Sequence, residues 1–148
     1  MEGVRNLCLD TDVLIDYIRR PSEAVKLIME KVYEGKVSAY TTTINSFEIW
    51  LGVYLAPKPE ELIKETGEFL SQLKIVSFDY KASREASRVM ASLRRQGQPI
   101  EIRGLFIGSS SKVSGMPLIT RNVRHYKRIA GLTVLTPEET IEQLKLSN

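Results

Sequence analysis

The spacing of apolar and polar positions changes several times along this chain. Leu7-Cys8-Leu9 is continuously apolar and ends abruptly at Asp10, with Asp12 two residues later. A short apolar run without alternation predicts a strand buried on both faces. Residues 13–20 are amphipathic and predict a helix directly after it. Pro21-Ser22 breaks that helix and caps a second one. Its apolar positions Val25, Ile28, Met29 and Val32 keep helical spacing up to Gly35. Residues 36–40 read as a short strand, and Thr41-Thr42-Thr43 supplies capping hydroxyls for a third helix at 44–56. Pro57 and Pro59 separate that helix from a fourth at 60–73. A strand at 75–78 leads to Asp79, the cap of a long helix that stops near Gly97. Another helix spans 102–114 and ends at Gly115. Strands at 117–120 and 133–135 and a last helix from Pro137 to about residue 146 complete the order. Alternating strands and helices predict an α/β fold with a parallel sheet covered on both faces. No repeat or linker interrupts it, so residues 1–148 read as one domain.

Two carboxylates stand out against this pattern. Asp10 falls at the carboxyl end of the first strand, the edge of an open α/β sheet where ligands bind. Glu48 sits in the middle of an apolar helix face made by Ile44, Phe47, Leu51 and Leu55. The opposite face carries Ile49, Trp50, Val53 and Tyr54, so this helix is buried or lies in an interface. A carboxylate there needs a compensating partner. An arginine or a helix N-terminus would serve, and so would a metal ion shared with Asp10. Gly52, one turn on, would allow a close backbone approach. Oxygen-only ligands suit Mg²⁺ or Mn²⁺.

Composition narrows the chemistry further. The 148 residues are 43% hydrophobic and 26% charged, enough for a real core, and the net charge of +3 permits a polyanionic partner without requiring one. Single Cys8 and His125 exclude Cys/His metal cages, and Cys8 reads as a buried inert thiol. No Gly-rich phosphate loop is present. Met1-Glu2-Gly3-Val4-Arg5 lacks the apolar core of a signal peptide and no run reaches membrane-span length, so a cytoplasmic protein with no membrane partner is expected. The segment from Arg121 to Arg128 is basic, with Arg121, Arg124, His125 and Lys127 around Tyr126. Alone it reads as a solvated loop. Beside a carboxylate site at the same sheet edge it reads as a phosphate contact. Arg94 and Arg95 read as an exposed helix end.

Taken in order, several segments resemble the PIN-domain family, above all its VapC-type toxin ribonucleases. They are Leu9-Asp10-Thr11-Asp12-Val13-Leu14-Ile15-Asp16, Thr43-Ile44-Asn45-Ser46-Phe47-Glu48 with Gly52, and Gly97-Gln98-Pro99-Ile100-Glu101-Ile102-Arg103. Pro117-Leu118-Ile119-Thr120-Arg121-Asn122-Val123-Arg124-His125-Tyr126 and Arg128-Ile129-Ala130-Gly131-Leu132 follow. Each is weak alone; the ordered set covers nearly the whole chain. The resemblance implies a three-layer α/β/α sandwich around a parallel sheet of four to five strands. It implies cleavage of RNA assisted by Mg²⁺ or Mn²⁺, a cognate antitoxin and a homodimer. Asp10 and Glu48 match the first two acidic positions, and Asp12 a polar position that shapes the turn. Asn122 matches the fourth position, with Thr120 before it.

The third acidic position departs from the family. Arg103-Gly104-Leu105-Phe106-Ile107-Gly108-Ser109 places Gly104 where an aspartate belongs, and glycine offers no ligand. Glu101 lies three residues earlier and would have to reach across a helical turn. A nuclease scaffold with impaired catalysis is therefore expected. The alternatives are a non-catalytic binding protein that accepts an arginine in its acidic pocket, or an RNA-processing nuclease of ribosome maturation. The apolar surfaces of the third and fourth helices, with Trp50, Val53, Tyr54 and Phe69, suggest a groove for the antitoxin or a second copy.

Overall fold

Leu7 and Leu9 pack into one apolar cluster, with Val13, Leu14, Val25, Ile28, Met29 and Ile119, while Cys8 between them packs into a second, with Val89, Leu105, Leu118 and Ile129. That alternation about one strand defines the layers. The computed structural model describes residues 5–146; the leaderless start expected at residues 1–4 lies outside the described residues. In chain order the elements are β1 (Arg5–Leu9), α1 (Thr11–Arg19), α2 (Glu23–Tyr33), β2 (Val37–Thr42), α3 (Thr43–Tyr54), α4 (Pro59–Leu70) and β3 (Lys74–Val76). Then come α5 (Tyr80–Arg95), α6 (Ile102–Val113), β4 (Leu118–Ile119), α7 (Val123–Tyr126), β5 (Val134–Leu135) and α8 (Pro137–Leu146). The five strands form one sheet in the order β3-β2-β1-β4-β5, and every neighbouring pair is parallel. Helices α1 to α4 and α8 supply one apolar cluster and α5 to α7 the other. The expected three-layer α/β/α sandwich is the architecture found.

This strand order positions the site. From β1 the chain advances outward through β2 and β3, then returns to β4 on the other side of β1 and advances to β5. The direction reverses between β1 and β4, so their carboxyl ends flank the crevice where open α/β sheets bind ligands. Asp10 follows β1 and Thr120 follows β4. The Asp10 N–H donates to the Ile119 carbonyl at 3.0 Å, holding the two ends together.

Element limits differ from the sequence pattern in instructive places. β2 runs on to Thr42, because Thr41 and Thr42 pair with Ile75 and Val76 and the Thr41 hydroxyl donates to the Leu9 carbonyl at 2.8 Å. β3 starts one residue early and ends before Phe78, whose N–H turns to the Thr43 hydroxyl at 3.2 Å. α7 was not expected; four residues are too few to show a helical period. In α3 the buried stripe is Asn45, Ile49 and Val53, whereas Phe47, Leu51, Tyr54 and Leu55 are exposed. Gly35 and Gly115 close α2 and α6 with φ of 75° and 72°. Cys8 is fully buried, and burial pushes its thiol up to about 12, the inert behaviour expected. Among the described residues no helix is long and apolar enough to cross a membrane.

Candidate active site

The crevice is organised by a capping box. Thr42 caps α3 by accepting from the Ile44 and Asn45 N–H groups, while Asn45 Oδ1 accepts from the Thr42 N–H at 3.2 Å and the Thr42 hydroxyl at 2.7 Å. That leaves the Asn45 amide nitrogen free to reach across to the end of β1. Its Nδ2 donates to Asp10 Oδ1 and to Thr11 Oγ1, both at 2.9 Å. The Thr11 hydroxyl in turn donates to Glu48 Oε1. A buried amide thus ties the carboxylates of Asp10 and Glu48 into one network across two elements. Glu48 lies one turn beyond Asn45, so both point the same way from α3.

Asp10 is 6% exposed and accepts from three groups: the Thr11 N–H at 2.8 Å, Asn45 Nδ2, and the Thr120 hydroxyl at 2.8 Å on Oδ2. Burial raises its pKa, the Glu48 charge adds to the rise, and these hydrogen bonds oppose it. The Thr120 hydroxyl, donating to Asp10, accepts from the Asn122 N–H at 3.0 Å. Asp12 lies at the same turn, where its Oδ2 accepts from the Arg121 N–H at 3.0 Å. Its Oδ1 is buried without a hydrogen-bond partner, and burial together with the Asp10 charge raises its pKa. Tyr126 also faces this corner, and burial and then the Asp10 charge push its hydroxyl upward.

The opposite wall is the start of α6. Glu101 is the N-cap of that helix: its Oε2 accepts from the Gly104 N–H at 2.9 Å, and its Oε1 lies 3.3 Å from Arg103 Nε. The cap occupies this carboxylate, which does not fill the gap at 104. Arg103 Nη1 also lies 3.6 Å from Glu48 Oε2, so one guanidinium bridges two glutamates. Beside it, Gly104 is buried. A Cβ on Gly104 would stand 2.3 Å from His125 Nε2 and 3.1 Å from its Cδ2. The imidazole therefore enters the volume that a side chain at 104 would use. Its ring packs edge-on to Tyr126, centroids 5.1 Å apart.

The remaining basic residues separate into two groups. Arg121 is engaged within the chain, lying 3.4 Å from Asp16, 3.1 Å from Glu138 and 2.9 Å from Ser22 Oγ, and so straps the turn after β4 to α1, α2 and α8. Arg124 and Lys127 are exposed, and so is the amide Asn122 between them and Arg121. Asn45, Thr11, Arg103 and Tyr126 were not singled out from the sequence. The T-x-x-N spacing of Thr42 and Asn45, one turn before Glu48, was the available signal for Asn45.

A PIN domain family model matches residues 7–132. The chain belongs to the PIN domain family. Among its relatives, the protein named ribonuclease VapC2 of Haemophilus influenzae is 28% identical over 125 residues, which are 84% of this chain and 92% of that one. The protein named tRNA(fMet)-specific endonuclease VapC of Shigella flexneri is 25% identical over 124 residues, 84% of this chain and 92% of that one. The fold matches VapBC2 from Rickettsia felis, solved bound to a DNA fragment of its promoter. There the TM-score is 0.81 at 23% identity, covering 88% of this chain and 98% of that one.

The family resemblance implies a divalent ion held by acidic groups, and the residues present do not complete a cage for it. Protein donors already engage both Asp10 oxygens, Glu48 is bound by Thr11 and Arg103, and position 104 has no side chain. Among the described residues no three His, Cys, Asp or Glu side chains stand together as a metal site.

Proposed function

We propose that the chain is the toxin of a toxin–antitoxin pair, a PIN-domain endoribonuclease scaffold whose catalysis is impaired at position 104. The observation that carries this reading is the Asn45 network, which gathers Asp10 and Glu48 at the switch-point crevice of a PIN fold. In this reading Asp10, Glu48 and a carboxylate at 104 would hold Mg²⁺ or Mn²⁺. Asp12 and Thr120 set the turn, and Asn122 lines the crevice. Arg124, His125 and Lys127 face the RNA phosphates. With glycine at 104 the cage lacks a member, and Arg103 supplies the charge opposite Glu48.

The antitoxin would occupy the groove between α1, α3 and α4. Ile15, Ile18, Ile49, Val53, Leu62 and Thr66 line it, and Glu48 lies in its wall. Gly52 opens into this groove, with no atom within 4 Å of where its Cβ would stand. A bound segment running along it would therefore end at the acidic site. The VapBC names of the solved structures support a partner of this kind.

The reading is tested by incubating the wild-type chain and Gly104→Asp with RNA and with DNA of the same sequence, in Mn²⁺. The variant should cut RNA and leave DNA intact, with the wild type slower by about 100-fold or more. Cleavage by neither protein would favour the non-catalytic binding protein; equal cleavage by both would remove the impairment.

A further inference from the structure

We infer that His125 is an internal plug: its imidazole stands in the place of the missing side chain at 104 and obstructs any ligand restored there. The inference rests on the impaired-nuclease reading above and deepens it. Repair of the site then needs two changes, with position 125 cleared as well as position 104 filled.

The three atoms nearest to a Cβ built on Gly104 all belong to this one imidazole, and Nε2 stands closer than an unbonded atom can. A carboxyl group on that Cβ would have to displace the ring. The ring is held in place by its surroundings. One turn along α6, Gly108 allows a second close approach, because a Cβ there would collide with Ile129 Cδ1 and lie 3.5 Å from Tyr126 Cδ1. Two glycines one turn apart thus let residues 125–129 lie flush on α6. Tyr126 and Ile129 are 4% and 1% exposed, so this seat is anchored in the core, and the imidazole packs edge-on to the Tyr126 ring. On the other side α6 is fixed by the Glu101 cap and by buried Leu105. Arg103 differs: its pair with Glu48 is half-exposed and 3.6 Å long, so it yields to solvent at little cost. The imidazole is the obstacle and the guanidinium is not.

A double-mutant cycle on Tm in EDTA reads the overlap without a metal. Gly104 lies within α6 and has no positive φ, so alanine there strains only this contact. Gly104→Ala in wild type should lower Tm by about 3–6 °C through overpacking. In a His125→Ala background the same change should leave Tm level or raise it, since the space is open and alanine favours the helix. His125→Ser provides a second background. Calorimetry with Mn²⁺ reads the consequence: Gly104→Asp combined with His125→Ala should bind at least about tenfold more tightly than Gly104→Asp alone. Equal Tm effects in all backgrounds overturn the inference. Equal Mn²⁺ affinity in the two aspartate variants overturns it too, as does tighter binding where His125 is kept, which would make the imidazole a ligand. If any of these results appears while Gly104→Asp cuts RNA, this inference falls alone. If the Tm effects differ as expected but neither aspartate variant binds Mn²⁺, the nuclease reading falls and takes the inference with it.

Discussion

Replacing Asn45 tests whether one buried amide holds the site together. The residue is fully buried, and its side chain makes four hydrogen bonds: two donated to Asp10 and Thr11, two accepted from Thr42. Asn45→Ala removes them all and leaves Asp10 buried with one donor fewer. The bond to a charged acceptor contributes about 1.5–3 kcal/mol and the capping contacts about 1 kcal/mol. These overlap, so a loss of about 2–3 kcal/mol is expected. In a domain of this size that lowers Tm by roughly 10 °C. Urea unfolding followed by circular dichroism measures it. Asn45→Asp makes the test sharper, since a carboxylate would then face Asp10 Oδ1 at hydrogen-bond distance. Two such groups share one proton, so the folded pair binds more protons than the unfolded chain. Stability of this variant should therefore fall more steeply than wild type between about pH 5 and about pH 8. A loss below about 1 kcal/mol for Asn45→Ala, or parallel pH curves for Asn45→Asp and wild type, would refute the central place given to this amide.

Other parts of the molecule give independent expectations. Asp10→Asn should raise Tm near neutral pH, because burial has raised the folded-state pKa and the ionised form costs stability once pH exceeds it. That gain should vanish below the ordinary aspartate pKa of about 3.9, where folded and unfolded states are both protonated, and a lower Tm at neutral pH would contradict it. Cys8 should resist a thiol reagent until the chain unfolds, given its full burial and a pKa of about 12; rapid labelling of the native protein would show that the strand opens. Leu62→Arg, at a position 39% exposed on the proposed antitoxin groove, should abolish co-purification with a co-expressed cognate antitoxin while shifting Tm by less than about 2 °C. Retained binding would place the partner elsewhere.

The parts of this molecule that could be read from the chain are those with short-range causes. An apolar triplet stopped by Asp10 has few physical readings besides a central strand. A glutamate inside an apolar helix face draws notice without its partner being known. Asn45 and Thr11 escaped notice because a polar residue near a helix start already has a sufficient role as a cap. Their second role depends on β1 and β2 lying side by side. Arg103 and His125 belong to the site only because α6, α3 and α7 converge there. The strap made by Arg121 is invisible in a basic segment, since Asp16 and Glu138 come from distant elements. Gly104 is the reverse case: the chain order marked the gap, and only the packed structure shows an imidazole inside it.

The central claim is that this nuclease site is one ligand short. Calorimetric titration of Mn²⁺ into the wild-type chain and into Gly104→Asp tests it most directly. A single class of site in the variant and no detectable binding in wild type is the predicted result. Equal Mn²⁺ binding by the two proteins would contradict it.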